Sequence, residues 1–103
     1  MYASFTIKLT PMKKFVVERS LPGVGNLTET ELQITSQSFL DTASRLMKPY
    51  LWVESFITND KMYCIYLAEN EQQVREHSRL GKFQVNKISE VKAIIDPVTE
   101  ACI

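Results

Sequence analysis

The sequence predicts an α+β domain of the ferredoxin-like type, an antiparallel four-stranded sheet with two helices packed on one face. Three observations predict it. Residues 52–66, WVESFITNDKMYCIY, set two apolar runs about the polar turn Thr58-Asn59-Asp60-Lys61 and read as a β-hairpin. A segment of helical periodicity lies on either side of that hairpin. Beyond each helix stands one further apolar run, Phe15-Val16-Val17 before the first and residues 88–95 after the second. The order is therefore β-α-β-β-α-β. Right-handed crossovers, each spanning strands with another strand between them, give the sheet order 4-1-3-2.

Each element has its own signals. Ala3, Phe5, Ile7 and Leu9 alternate with Ser4, Thr6 and Lys8, which predicts an extra strand within the extension 1–12; a frayed terminus is the competing reading. The strand centred on Phe15-Val16-Val17 ends around Arg19, before the loop Leu21-Pro22-Gly23-Val24-Gly25-Asn26. Thr28 and Glu31 form a capping box. Leu32, Ser36, Phe39, Ala43 and Leu46 then recur at intervals of three and four, predicting a helix over 28–47 that Pro49 stops. The hairpin strands occupy 50–57 and 62–67. Asn70 opens a second helix over 71–80, with Glu71 in its first turn and Gly81 as the left-handed residue just beyond its end. The last strand runs to Asp96-Pro97. The domain spans 13–99 and leaves a tail at 100–103.

With 103 residues, 45% of them apolar, the chain is one domain able to bury a core. Twelve basic residues balance twelve acidic ones, which argues against a nucleic-acid partner or an anionic membrane surface. No run of apolar residues is long enough for a membrane span. Lys8 interrupts the first apolar stretch, so a signal peptide is not expected and the cytoplasm is the default compartment. Two cysteines, Cys64 in a strand and Cys102 in the tail, make no disulfide framework.

Two helices cover one sheet face only. The other would carry residues such as Trp52 and Phe56, or Met62 and Tyr66, according to the parity of the hairpin. An apolar face of that kind calls for cover, and a second copy packed sheet to sheet about a two-fold axis supplies it. A homodimer is expected. A two-residue Asn59-Asp60 loop sets Ser55 opposite Cys64 and groups Val53, Ser55, Met62, Cys64 and Tyr66 on one face. A three-residue loop moves Trp52, Glu54 and Phe56 there instead. The first is preferred and the second stays open.

Chemistry-bearing residues are sparse. His77, the single histidine, shares a helix face with Val74 and Ser78 and points inward at least in part. A hydrogen-bonded core imidazole is the plain reading, a metal ligand or acid–base group the functional one. Cys64 is by type a buried small hydrophobe. Counting from the β–α junction, Cys64 lies roughly 13 Å down its strand. His77 lies about 10.5 Å down its helix, so the two stand at similar heights. Glu18 and Glu54, carboxylates in apolar strands, are pocket candidates with Tyr66; Glu90 reads as a wet edge. No Ser/His/Asp arrangement, phosphate-binding glycine loop or paired CxxC is present.

Several segments together resemble a family of small bacterial proteins with nickel-binding members. They are Val17-Glu18-Arg19 with Leu21-Pro22-Gly23, Glu54-Ser55 with Thr58, Asp60-Lys61 with Tyr63-Cys64 and Tyr66, Val74-Arg75-Glu76-His77, and Ile88-Ser89-Glu90-Val91 with Ile95-Asp96-Pro97. The chain departs from that family in its N-terminal extension and in Gln84, where a proline is usual. The resemblance implies a dimeric α+β barrel and binding of nickel or another divalent transition metal, with Cys64 and His77 as donors suited to it by type. Two other classes stand beside this reading. One is a small cofactor-independent enzyme of monooxygenase or isomerase type, which a cavity holding Glu54, Tyr66 and His77 would favour; the other is an interaction module with no cavity.

Overall fold

A computed structural model describes residues 12–46 and 49–98. The expected strand at 3–9, Cys102 and the tail lie outside the described residues. Four strands and two helices follow in the order β1 (Lys13–Ser20), α1 (Glu29–Ala43), β2 (Tyr50–Ile57), β3 (Lys61–Ala68), α2 (Glu71–Gly81) and β4 (Lys87–Glu90), with a short 3-10 turn at Val24–Asn26 before α1. All strand pairs are antiparallel. The sheet order is β2-β3-β1-β4, which read from the β4 edge is 4-1-3-2.

Alternation along the central strands builds the core. On β1, Phe15, Val17 and Arg19 turn under the helices; on β3, Met62, Cys64, Tyr66 and Ala68 do the same. Phe39 of α1 and Val74 of α2 close over them. Thr28 and Glu31 exchange the two hydrogen bonds of a capping box, so α1 starts where its sequence says it should. It stops at Ala43, short of the expected Met47, because its last turn tightens: the Arg45 and Leu46 amides donate to Thr42 and Ala43.

The final strand is shorter than its apolar run suggests. Antiparallel to β1, it pairs Phe15 with Glu90 and Glu18 with Lys87, and the Val91 amide still reaches the Lys14 carbonyl at 2.8 Å. There β1 runs out at Lys13, and among the described residues no strand extends past it to pair with 93–95; Ile94 and Ile95 are exposed.

The hairpin turn has the two-residue form. Ser55 stands opposite Cys64 and Ile57 opposite Met62. Its register then shifts: Glu54 faces Ile65 while Trp52 faces Tyr66, which leaves Val53 as one extra residue on β2. The bulge corrects the expected grouping. Val53 leaves the inner face and Trp52 takes its place, packing edge-on against Phe39 at 5.2 Å between ring centres.

The close of α2 differs too. Lys82, not Gly81, adopts the left-handed conformation at φ 57°, with the Phe83 amide donating to the Ser78 carbonyl at 2.8 Å. Gly81 serves another purpose: a Cβ there would lie 2.2 Å from the Phe83 ring. Gly25 is fixed by close approach as well. Its amide donates to the Asn59 carbonyl, and a Cβ would come within 2.8 Å of the hairpin backbone.

Candidate functional site

Within the apolar core the inner face holds a polar layer: Arg19 from β1, Tyr50 and Ser55 from β2, Cys64 and Tyr66 from β3, and His77 and Ser78 from α2. Strand alternation, reset on β2 by the bulge at Val53, sets the first five, and the spacing of Val74, His77 and Ser78 on α2 turns the last two onto them.

Arg19 is 1% exposed. Its guanidinium donates to the Gln84 carbonyl at 2.7 Å, the Tyr66 hydroxyl at 2.9 Å and Ser78 Oγ at 3.3 Å, while Nε has no partner. The rings of Phe39, Tyr66 and Phe83 surround it at 5.6–5.9 Å. Among its hydrogen-bond partners there is no carboxylate. An arginine stays charged, so a positive charge sits in the core held by neutral acceptors and ring faces alone.

His77 is fully buried among the rings of Tyr50, Tyr66, Phe39 and Phe83. Its Nε2 lies 3.1 Å from the Phe39 carbonyl. A carbonyl only accepts, so Nε2 carries the proton and Nδ1 keeps a lone pair, which has no hydrogen-bond partner. Burial, with the Arg19 charge as a smaller contribution, pushes the imidazole pKa down to about 4 against the hydrogen bond to Phe39. At neutral pH the ring is uncharged. Burial likewise pushes the Tyr50 and Tyr66 phenols up, so both stay protonated. The Tyr50 hydroxyl is a second buried group without a partner.

A short relay orients Cys64. Trp52 Nε1 donates to Ser55 Oγ at 2.9 Å, and the Ser55 hydroxyl donates to Cys64 Sγ at 2.9 Å. The bulge at Val53 is what lets Trp52 and Ser55 face the same side.

Cys64, Tyr66 and His77 thus occupy one layer. The heights of Cys64 and His77 are offset, though. His77 stacks beside Tyr66 and Tyr50, one inward position further along β3 than Cys64, roughly 6–7 Å. Glu18 and Glu54 are elsewhere. Their registers opposite Tyr63 and Ile65 place both on the open face of the sheet, where Glu18 pairs with Lys61 at 2.8 Å. That ion pair holds the Glu18 carboxyl below its usual range. Among the described residues no three His, Cys, Asp or Glu side chains gather as a metal cluster.

Arg19 is the core residue that the sequence marks only as the end of the first strand. The signal for its real place is the alternation Phe15-x-Val17-x-Arg19, which carries it to the inner face. Ser78 shares the inward helix face of His77, while Tyr50 gave no comparable signal.

A ferredoxin-like sheet whose helix-covered face encloses arginine, tyrosine, cysteine and histidine defines a small α+β domain with a polar layer in its core. The family model described as "Nickel responsive protein SCO4226-like" matches residues 15–91, and the chain belongs to that family. Among solved structures, the crystal structure of SCO4226 from Streptomyces coelicolor A3(2) superposes with a TM-score of 0.66 at 15% identity, covering 80% of this chain and 99% of that one. At that identity the likeness concerns the fold. No curated protein matches the sequence. No helix among the described residues is long and apolar enough to cross a membrane.

Proposed function

We propose that this chain is a small cytoplasmic nickel-binding protein that works as a homodimer, with His77 as the anchoring donor and Cys64 as its partner. The observation that carries the reading is the free lone pair of His77 Nδ1, buried and unpartnered beneath α2. A metal-binding histidine typically donates its other ring N–H to a carbonyl or carboxylate, which fixes the ring and its tautomer. The bond to the Phe39 carbonyl provides that arrangement. A neutral ring and a sulfur in the same layer suit a borderline metal such as nickel by donor type, and sharing one ion requires the two side chains to close the offset between them. Bound nickel would supply Lewis acidity or a conformational signal; the residues themselves hold the ring neutral and exclude water.

The open face supports the dimer. Leu51 and Phe56 on that face are 52% and 53% exposed, beside Val16, Ile65 and Leu67 on the neighbouring strands. Sheet-to-sheet closure would cover them and bring Glu18 and Glu54 of both copies together.

Nickel titration of untagged protein, beside His77→Ala and Cys64→Ser, tests the reading. Each substitution should weaken binding by roughly tenfold or more. Unchanged affinity in both variants would move the metal to the open face; no binding by the parent would retire the metal function.

A further inference from the structure

A cavity opens beside the guanidinium, with a volume of about 180 Å³. Leu21, Phe39, Met62 and Phe83 form apolar walls, Arg19 bounds its inner end, and Thr35, Lys82 and Gln84 complete the lining. Arg19 is almost wholly buried, keeps an unpartnered Nε, and has no acid among its hydrogen-bond partners. Most acids on the sheet and helices are engaged elsewhere: Glu18 with Lys61, Glu71 with Arg75, Glu76 with Arg79, Glu90 with Lys92, Asp41 with Gln37, and Glu31 in the α1 cap; Glu54 lies on the open face and Glu29 is exposed in the first turn of α1. A buried charge held without a counter-ion is costly, and the low dielectric that makes it costly strengthens its pull on an anion.

We infer that this cavity is a binding site for a small organic carboxylate, its anionic head directed to the Arg19 end and its apolar body between Phe39, Met62 and Phe83. The apolar walls favour a carboxylate that carries a hydrocarbon body over a bare inorganic anion, whose remaining oxygens would lose hydration with nothing to replace it. The volume limits the ligand to a few carbon atoms or a single ring, well below the drug-sized range. Lys82 adds a second positive charge at the lining and steers anions inward. The inference does not depend on nickel, and its readout involves no metal.

The test is calorimetric titration of the full chain, freed of metal by chelation and dialysis, with benzoate, benzylamine and inorganic phosphate. Benzoate should bind saturably and raise the melting temperature, whereas benzylamine should do neither and phosphate should bind at least tenfold more weakly. Leu21→Trp, which fills the cavity from its wall without touching the charge, should abolish benzoate binding. Arg19→Met should weaken it at least tenfold if the variant folds; if it does not, Leu21→Trp alone decides. Absence of saturable benzoate binding overturns the inference. So does equal binding of benzylamine, tighter binding of phosphate, or a folded Leu21→Trp variant that binds benzoate like the parent.

Discussion

At the scale of single residues, His77 and Arg19 make opposite statements about charge. His77 is neutral because water is excluded from it; its folded pKa, about 4, lies below the ordinary value of 6.5. The unfolded chain therefore binds the proton more readily, and stability is complete above pH 6.5. It falls as pH drops from there toward 4, by about 3 kcal/mol in all. Urea unfolding at pH 7 and pH 4.5 should show a loss of this order, and His77→Gln should flatten the difference between the two pH values. Equal pH dependence in parent and variant would contradict the buried neutral ring. Arg19 bears on the same layer through its fixed charge. If nickel binds at His77 and Cys64, it does so against a neighbouring cation, so Arg19→Met should tighten nickel binding by roughly tenfold or more. An unchanged nickel affinity in folded Arg19→Met would place the ion elsewhere.

At the scale of elements, the turn after α2 holds a strained residue and a crowded one side by side. Lys82 occupies a left-handed conformation that glycine adopts freely, so Lys82→Gly should stabilise by about 0.5–1 kcal/mol, a rise of a few degrees in melting temperature. Gly81→Ala should act the other way, by about 1–3 kcal/mol, since the Phe83 ring fills the space a methyl would need. The sequence pointed to the glycine as the left-handed residue because glycine is the usual choice. Only tertiary packing assigns it to the ring. The same distinction runs through the rest of the fold. Caps, periodicity and turn residues made the element order, the crossover topology and the inward position of His77 legible, since these are local or topological properties. The bulge at Val53, the early end of α1 and the four-residue β4 depend on what the neighbouring strand or turn offers, which no window of sequence contains. The candidate site divides likewise. Its histidine, cysteine and tyrosine could be named from residue type and parity, while its arginine emerged only when the whole inner face was assembled.

At the scale of the whole molecule, the two faces of the sheet are unequal. One is sealed by α1 and α2; the other presents Leu51, Phe56 and their neighbours to solvent. A homodimer closed over that face should bury more than about 1,000 Å² in total. Light scattering at micromolar concentration should return twice the chain mass of 11.9 kDa. Phe56→Asp, which puts a charge within the face, should return the monomer without loss of helical circular dichroism. A monomeric parent would exclude the closed arrangement.

The extra residue at Val53 has a consequence for how this sheet meets others. Among the described strands β2 lies at the rim of the sheet, and a regular rim strand is a template on which foreign chains can add by backbone pairing. An interruption near its middle spoils the repeat that such growth requires, so contact is steered to the face and away from the rim. Deleting Val53 would leave Trp52 and Ser55 both turned inward, since their partners Tyr66 and Cys64 already keep regular alternation on β3. The shortened protein should keep its native fluorescence yet acquire an unbroken rim, and incubation should then yield thioflavin-positive fibres that the parent resists.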